Sequence, residues 1–192
     1  MSDKIKILLV EDDNDFSYLI KKMIEQDKTL DFVAYAENKF SGIELAKKIQ
    51  PDIVLMDLNL ANREFEGIEA AKEIKLVTNA KILLLTSNEK YETVIDASKK
   101  SFASGYIFKS QCQALNDTIQ KTARSHTPMA HMIKELILTE LTEAERIVFD
   151  MIFGSRSTVG STDKTIANHK TEIFRKLGIK NTRELIHIFK NW

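Results

Sequence analysis

One cysteine, two prolines and one tryptophan are all that 192 residues hold of these types. A single thiol, Cys112, excludes an internal disulfide and a cysteine-built metal cluster, and it suits a reducing cytoplasm. No apolar run approaches ~20 residues, so no membrane span is expected. The first residues lead straight into a strand pattern without the features of a secretory signal. Net charge is also missing, since 28 Lys and Arg balance 28 Asp and Glu. What is present is an ordinary globular composition, 43% hydrophobic and 29% charged, enough for one large or two small cores.

The zero balance hides an asymmetry. Residues 154–192 carry eight basic side chains against three acidic ones, whereas residues 1–124 carry 18 basic and 20 acidic. The C-terminal segment is therefore locally basic, which suits contact with a polyanion.

The run Asp52-Ile53-Val54-Leu55-Met56-Asp57 reads as a parallel strand buried on both faces. Alone, its terminal Asp57 is better explained as a cap or loop anchor than as a nucleophile. Three more strand patterns change the weighing: Ile5 to Val10 ends in Glu11-Asp12-Asp13, Lys81 to Leu85 in Thr86-Ser87, and Gly105 to Phe108 in Lys109. As parallel neighbours they would bring carboxylates, a hydroxyl and an ammonium to the carboxyl edge of one sheet, where open α/β sheets place their chemistry.

Helix and strand patterns alternate. Phe16, Leu19, Ile20, Met23 and Ile24 paint one helical face. Leu30 to Tyr35 is a short strand, Ser41 to Gln50 a helix stopped by Pro51, and Ile68, Ala71, Ile74 and Val77 mark a third helix. A weaker helix runs from Tyr91 to Ser101, and Ser110 to Arg124 forms a closing one. Five such repeats predict an α/β fold, a five-stranded parallel, doubly wound, flavodoxin-like sheet over residues 1–124.

Residues 125–140 read as a partly helical linker, opened by Ser-His-Thr-Pro. Strand patterns then cease, and residues 141–192 predict a small all-α domain. Thr142 and Glu145 form a capping box ahead of a first helix that Gly154 stops. Thr162 opens a second helix closed by Gly178, and Thr182 caps a third.

The order of motifs resembles a known family. Ile7-Leu-Leu-Val-Glu-Asp-Asp13, Val54-Leu-Met-Asp57, Leu84-Leu-Thr-Ser87 and Gly105-Tyr-Ile-Phe-Lys109 resemble the receiver domain of two-component response regulators. Leu141-Thr-Glu-Ala-Glu145, Lys164-Thr-Ile-Ala-Asn-His169 and Arg175-Lys-Leu-Gly-Ile-Lys-Asn181 resemble a LuxR-type helix-turn-helix, and together they look like the NarL/FixJ class. The resemblance implies that Asp57 is the phosphoacceptor and that Glu11, Asp12, Asp57 and the backbone carbonyl of Asn59 hold Mg²⁺ or Mn²⁺. It implies that Lys109 pairs with the phosphoryl oxygens, that Thr86 turns toward them, and that Tyr106 reports the change. One of Asp13 and Asn14 is expected only to cap the first helix.

The implied function is a cytoplasmic regulator phosphorylated by a sensor histidine kinase, dimerising on activation and binding DNA. Lys164, Asn168, His169, Lys170, Thr171 and Arg175 are the candidate DNA contacts, and Lys176 is a further candidate for phosphate. No enzymatic activity is expected beyond transfer to Asp57 and its own dephosphorylation.

Departures from the pattern are visible. Ser110 stands where many receivers have Pro, and Ala61 to Glu66 makes a longer loop than usual. Between Gly154 and Thr162 the chain is about five residues short of the helix-turn-helix pattern, so its supporting helix is not expected to form. That shortening motivates an alternative, a phospho-switched protein-interaction module that no longer reads DNA specifically.

Overall fold

The computed structural model describes residues 4–60, 66–125, 127–155, 162–190 and 192. Packing divides the chain into two compact units, residues 1–133 and 134–192.

In the first unit five strands, β1 (Ile5–Val10), β2 (Leu30–Ala36), β3 (Ile53–Asp57), β4 (Lys81–Thr86) and β5 (Gly105–Phe108), form one sheet in the order β2-β1-β3-β4-β5. Every ladder is parallel. The intervening helices are α1 (Asn14–Glu25), α2 (Lys39–Ile49), α3 (Glu66–Val77), α4 (Tyr91–Ser101) and α5 (Leu115–Arg124). Alternation along each strand sends side chains to two separate cores. Leu8, Val10, Val54, Met56, Ile82 and Leu84 pack with Ile43, Ala71 and Ile74 on one face. Ile7, Leu9, Ile53, Leu55, Leu83 and Leu85 pack with Ile20, Ile24, Leu115 and Ile119 on the other. At about 1.5–3 kcal/mol for each large side chain taken from water, both faces must be covered for such strands to persist.

Several local expectations shift. α2 ends at Ile49, and Gln50 adopts a left-handed conformation (φ 49°) ahead of Pro51. α3 buries Ala70, Ala71 and Ile74, leaving Val77 outside. Lys109 does not end a strand but opens a 3₁₀ turn, Lys109–Ala114, whose backbone leaves helical geometry at Gln111 before α5 begins. The closing helix is thus shorter than its apolar pattern suggests, because residues just after β5 are tied to loop partners described below.

α6 (Pro128–Leu138) lies across the border between the units, so the segment expected as a linker is mostly helix. The second unit adds α7 (Glu143–Ile152), α8 (Asp163–Leu177) and α9 (Thr182–Phe189). Thr142 and Glu145 form the expected capping box, Thr162 caps α8, and Gly178 closes it with φ 61°. The cap of α9 is Asn181 rather than Thr182: its side chain accepts from the Glu184 N–H at 3.0 Å, and Thr182 becomes the first helical residue. Phe149 meets Phe189 edge-on and Phe189 stacks on Trp192, which fastens α9 to α7. The long loop at 61–65 and the shortened segment at 156–161 lie outside the described residues. Among the described residues no helix is long and apolar enough to cross a membrane.

Candidate functional site

The strand order reverses between β1 and β3, and their carboxyl ends diverge there into α1 and the segment before α3. Such a switch point leaves a crevice into which strand-terminal side chains project. β1 delivers Glu11 and Asp12, and β3 delivers Asp57. Their carboxylate oxygens lie within 4.8 Å of one another. Glu11 is fully buried and Asp57 is 5% exposed. Asp13, the third of the acidic run, caps α1 by accepting from the Phe16 N–H at 3.0 Å.

Lys109 enters from the turn after β5. Its Nζ is 2.7 Å from Glu11 Oε2 and 3.3 Å from Asp57 Oδ2. The ammonium also lies 4.7 Å from the centre of the Phe16 ring, whose face attracts a cation. Burial pushes the Glu11 carboxyl up to about 7, the Asp57 charge adds to this, and Lys109 opposes it. Asp57 is raised by burial too, with Lys109 and a backbone N–H of Asn59 pulling it back. For Lys109 burial acts downward, but its bonds to Glu11 and Asp57 outweigh it and raise the amine. The Lys109 ammonium thus contacts two of three crowded carboxylates, which form an all-oxygen donor set. Hard cations such as Mg²⁺ or Mn²⁺ fit that set.

Thr86, 1% exposed, ends β4 beside Asp57's strand. Its Oγ1 accepts from the Asn88 N–H at 2.9 Å and lies 3.4 Å from the Asn88 carbonyl. Tyr106 is half-buried on β5, packed against the α2–α4 core and 5.3 Å from the Phe108 ring.

Two neighbours of the site escape sequence reasoning. Gly67, early in α3, approaches Asp57 so closely that a Cβ there would stand 1.8 Å from the Asp57 carbonyl oxygen. Its signal is a lone glycine ten residues beyond the strand-terminal Asp. The second is the hydrogen bond from Ser110 Oγ to Glu89 Oε1 at 2.6 Å, which no spacing announces.

In the second unit the candidate DNA contacts divide. Lys164, Asn168, Thr171 and Arg175 recur at helical spacing and form an exposed stripe on α8. His169 and Lys170 are half-buried and lie off that stripe, toward the face bearing Ile173 and Leu177. Arg175 donates through Nε (3.0 Å) and Nη2 (2.8 Å) to Glu172 Oε2. Lys176 is engaged inward instead: its Nζ donates to the buried Glu145 at 2.6 Å, joining α8 to the α7 capping box. Burial would raise Glu145, yet Lys176 and the Thr142 cap hold it below the ordinary carboxylate range.

Residues 7–120 match the response regulator receiver domain. The nitrate/nitrite response regulator protein homolog of Haemophilus influenzae is 28% identical over 199 residues, covering 93% of each chain. The transcriptional regulatory protein YdfI of Bacillus subtilis is 29% identical over 203 residues, covering 95% of this chain and 94% of its own. Among solved structures, the RcsB response regulator of Salmonella typhimurium aligns over 98% of both chains with a TM-score of 0.58 and 20% identity, a likeness of fold. The parallel sheet, the acidic crevice at its switch point and a match over more than half the length agree, and the chain belongs to the response regulator receiver family.

Proposed function

We propose that this protein is a phosphorylation-controlled transcriptional regulator of the cytoplasm, taking a phosphoryl group on Asp57 from a sensor histidine kinase. The observation that carries this reading is the cluster of Glu11, Asp12 and Asp57 at the switch point, with Lys109 Nζ against two of the three carboxylates.

Asp57 is the nucleophile. An oxygen of its carboxylate bonds to phosphorus as the phosphorus–nitrogen bond of the donor phosphohistidine breaks, and the imidazole leaves with the bonding pair. Lys109 offers a charge-assisted hydrogen bond to the transferred oxygens, and the Thr86 hydroxyl turns toward them. Space opened beside Thr86 is taken by Tyr106, and the surface around residues 88–108 changes. A divalent cation held by Glu11, Asp12, Asp57 and the Asn59 carbonyl would supply the positive charge that offsets repulsion between these carboxylates and the incoming group. Water attack on the acyl phosphate then returns Asp57 to its free form.

The output is DNA binding, with the α8 stripe as its leading surface and dimerisation on activation. Support comes from the basic C-terminal segment and from full-length relatives that carry the names of transcriptional and response regulators. The test compares genomic-fragment binding by the Mg²⁺-plus-beryllofluoride form and the untreated form across a salt series. Selective binding that strengthens on activation is expected. Weak, unselective binding in both forms would overturn the DNA reading, and phosphoryl uptake surviving in Asp57→Ala would overturn the acceptor assignment.

A further inference from the structure

Ser110 directly follows Lys109, and Glu89 lies three residues beyond Thr86. The 2.6 Å bond from Ser110 Oγ to Glu89 Oε1 therefore joins the two segments that carry the ammonium and the hydroxyl of the site. Between Thr86 and Glu89 the chain is wound on itself. The Asn88 N–H donates to Thr86 Oγ1 at 2.9 Å, and the Lys90 N–H donates to Asn88 Oδ1 at 2.9 Å. The Thr86 hydroxyl proton is directed to the Asn88 carbonyl, at 3.4 Å.

A phosphoryl group on Asp57 would offer that proton a charged acceptor, and charge-assisted bonds are the stronger ones. To use it, Thr86 must leave the Asn88 carbonyl, and the loop behind it must shift while Glu89 is tied to Ser110. We propose that the Glu89–Ser110 hydrogen bond is a latch that favours the unphosphorylated arrangement of the Thr86 loop, which makes Glu89 and Ser110 positioning residues for phosphoryl retention. The proposal rests on Asp57 as the phosphoacceptor. A proline at position 110 would have no hydroxyl to close the latch, so this control belongs to chains with a donor there.

The experiment measures beryllofluoride affinity by fluorine NMR in saturating Mg²⁺, together with the half-life of the phosphoryl group after loading from a small phosphodonor. The proteins are the wild type, Ser110→Ala, Glu89→Ala, the double variant and Ser110→Thr. Either alanine variant should bind beryllofluoride roughly threefold to tenfold more tightly, the range expected for losing one such bond, and should hold its phosphoryl group longer. The double variant should show no more than either single one, and Ser110→Thr should behave as wild type. General loosening would lower the melting temperature without tightening binding. Unchanged affinity and half-life in the alanine variants, or additive effects in the double variant, would overturn the latch. Failure of the wild type itself to take up beryllofluoride or phosphoryl would instead overturn the phosphoacceptor reading, and the latch with it.

Discussion

Lys109 Nζ stands 2.7 Å from Glu11 Oε2, and still the Glu11 carboxyl is held up at about 7. Complete burial outweighs even a close counter-ion, and the neighbouring Asp57 adds to the imbalance. Lys109 is thus the principal compensation for a strained cluster before any cation binds. Replacing it by Met should destabilise the metal-free protein by about 3–5 kcal/mol near pH 8, the cost of stranding buried charge. Urea denaturation at pH 8 and pH 5 checks this. The loss should shrink at the lower pH, where Glu11 carries a proton, and an equal loss at both would contradict the assignment.

If Glu11 is a ligand as proposed, proton and cation compete for it. Its folded pKa, about 7, lies above the ordinary value of 4.5, so between the two the folded chain holds a proton that the unfolded chain has released. The Glu11 contribution to metal-free stability therefore falls as pH rises through that window and is constant above it. Mg²⁺ held as proposed would need the ionised carboxylate, so its affinity should climb toward about pH 7 and level off above. Calorimetric titration between about pH 5.5 and 8 reads the trend. A flat profile would show that Glu11 does not ligate the ion.

Gly67 tests how α3 and the end of β3 share space. In Gly67→Ala the new methyl would meet backbone, the Asp57 carbonyl oxygen at 1.8 Å and Leu58 Cα at 3.0 Å, with no flexible side chain to yield. The variant should lose about 2–4 kcal/mol of stability, the upper range of overpacking. It should also take up phosphoryl groups more slowly, because the Asp57 backbone moves. Urea melts and uptake from a small phosphodonor measure both, and wild-type behaviour in each would sink the argument.

Two lysines on α8 should separate binding from folding. Lys164 belongs to the exposed stripe, so Lys164→Ala should reduce the slope of log affinity against log salt by about one and leave the melting temperature unchanged. Lys176→Ala should lower the melting temperature, because Glu145 loses the ammonium 2.6 Å away, and should change the salt slope little. Reversal of the two patterns would overturn the proposed DNA-facing stripe on α8.

Much of the receiver fold was legible because its strands are buried on both faces. Nearly unbroken aliphatic runs in β1, β3 and β4, leading to Glu11, Asp57 and Thr86, mark the sheet and its acidic edge together. Rotation of an individual helix was harder to read. In α3 small alanines sit against the core, so the face runs through Ala70 and Ala71 while Val77, apolar in pattern, is left outside. The caps show the same limit, since Asn181 and Thr182 are both good capping residues and only the backbone shows that Asn181 takes the position. Contacts between residues far apart in sequence, such as Lys109 with Phe16 or Ser110 with Glu89, leave no local pattern at all. On α8, helical spacing was enough to group Lys164, Asn168, Thr171 and Arg175. The inward engagement of Lys176 needed the position of α7.

Every ladder of the sheet is parallel, and the two acidic strands are separated in sequence from the turn that supplies Lys109. A ribosome therefore delivers the carboxylates of Glu11, Asp12 and Asp57 well before the side chain that neutralises them. A nascent chain halted short of residue 109 would have to bury Glu11 and Asp57 without the ammonium that pairs with both. Completion of the acidic crevice is therefore expected to be a late step of this domain's biogenesis, after β5 and its turn have been synthesised.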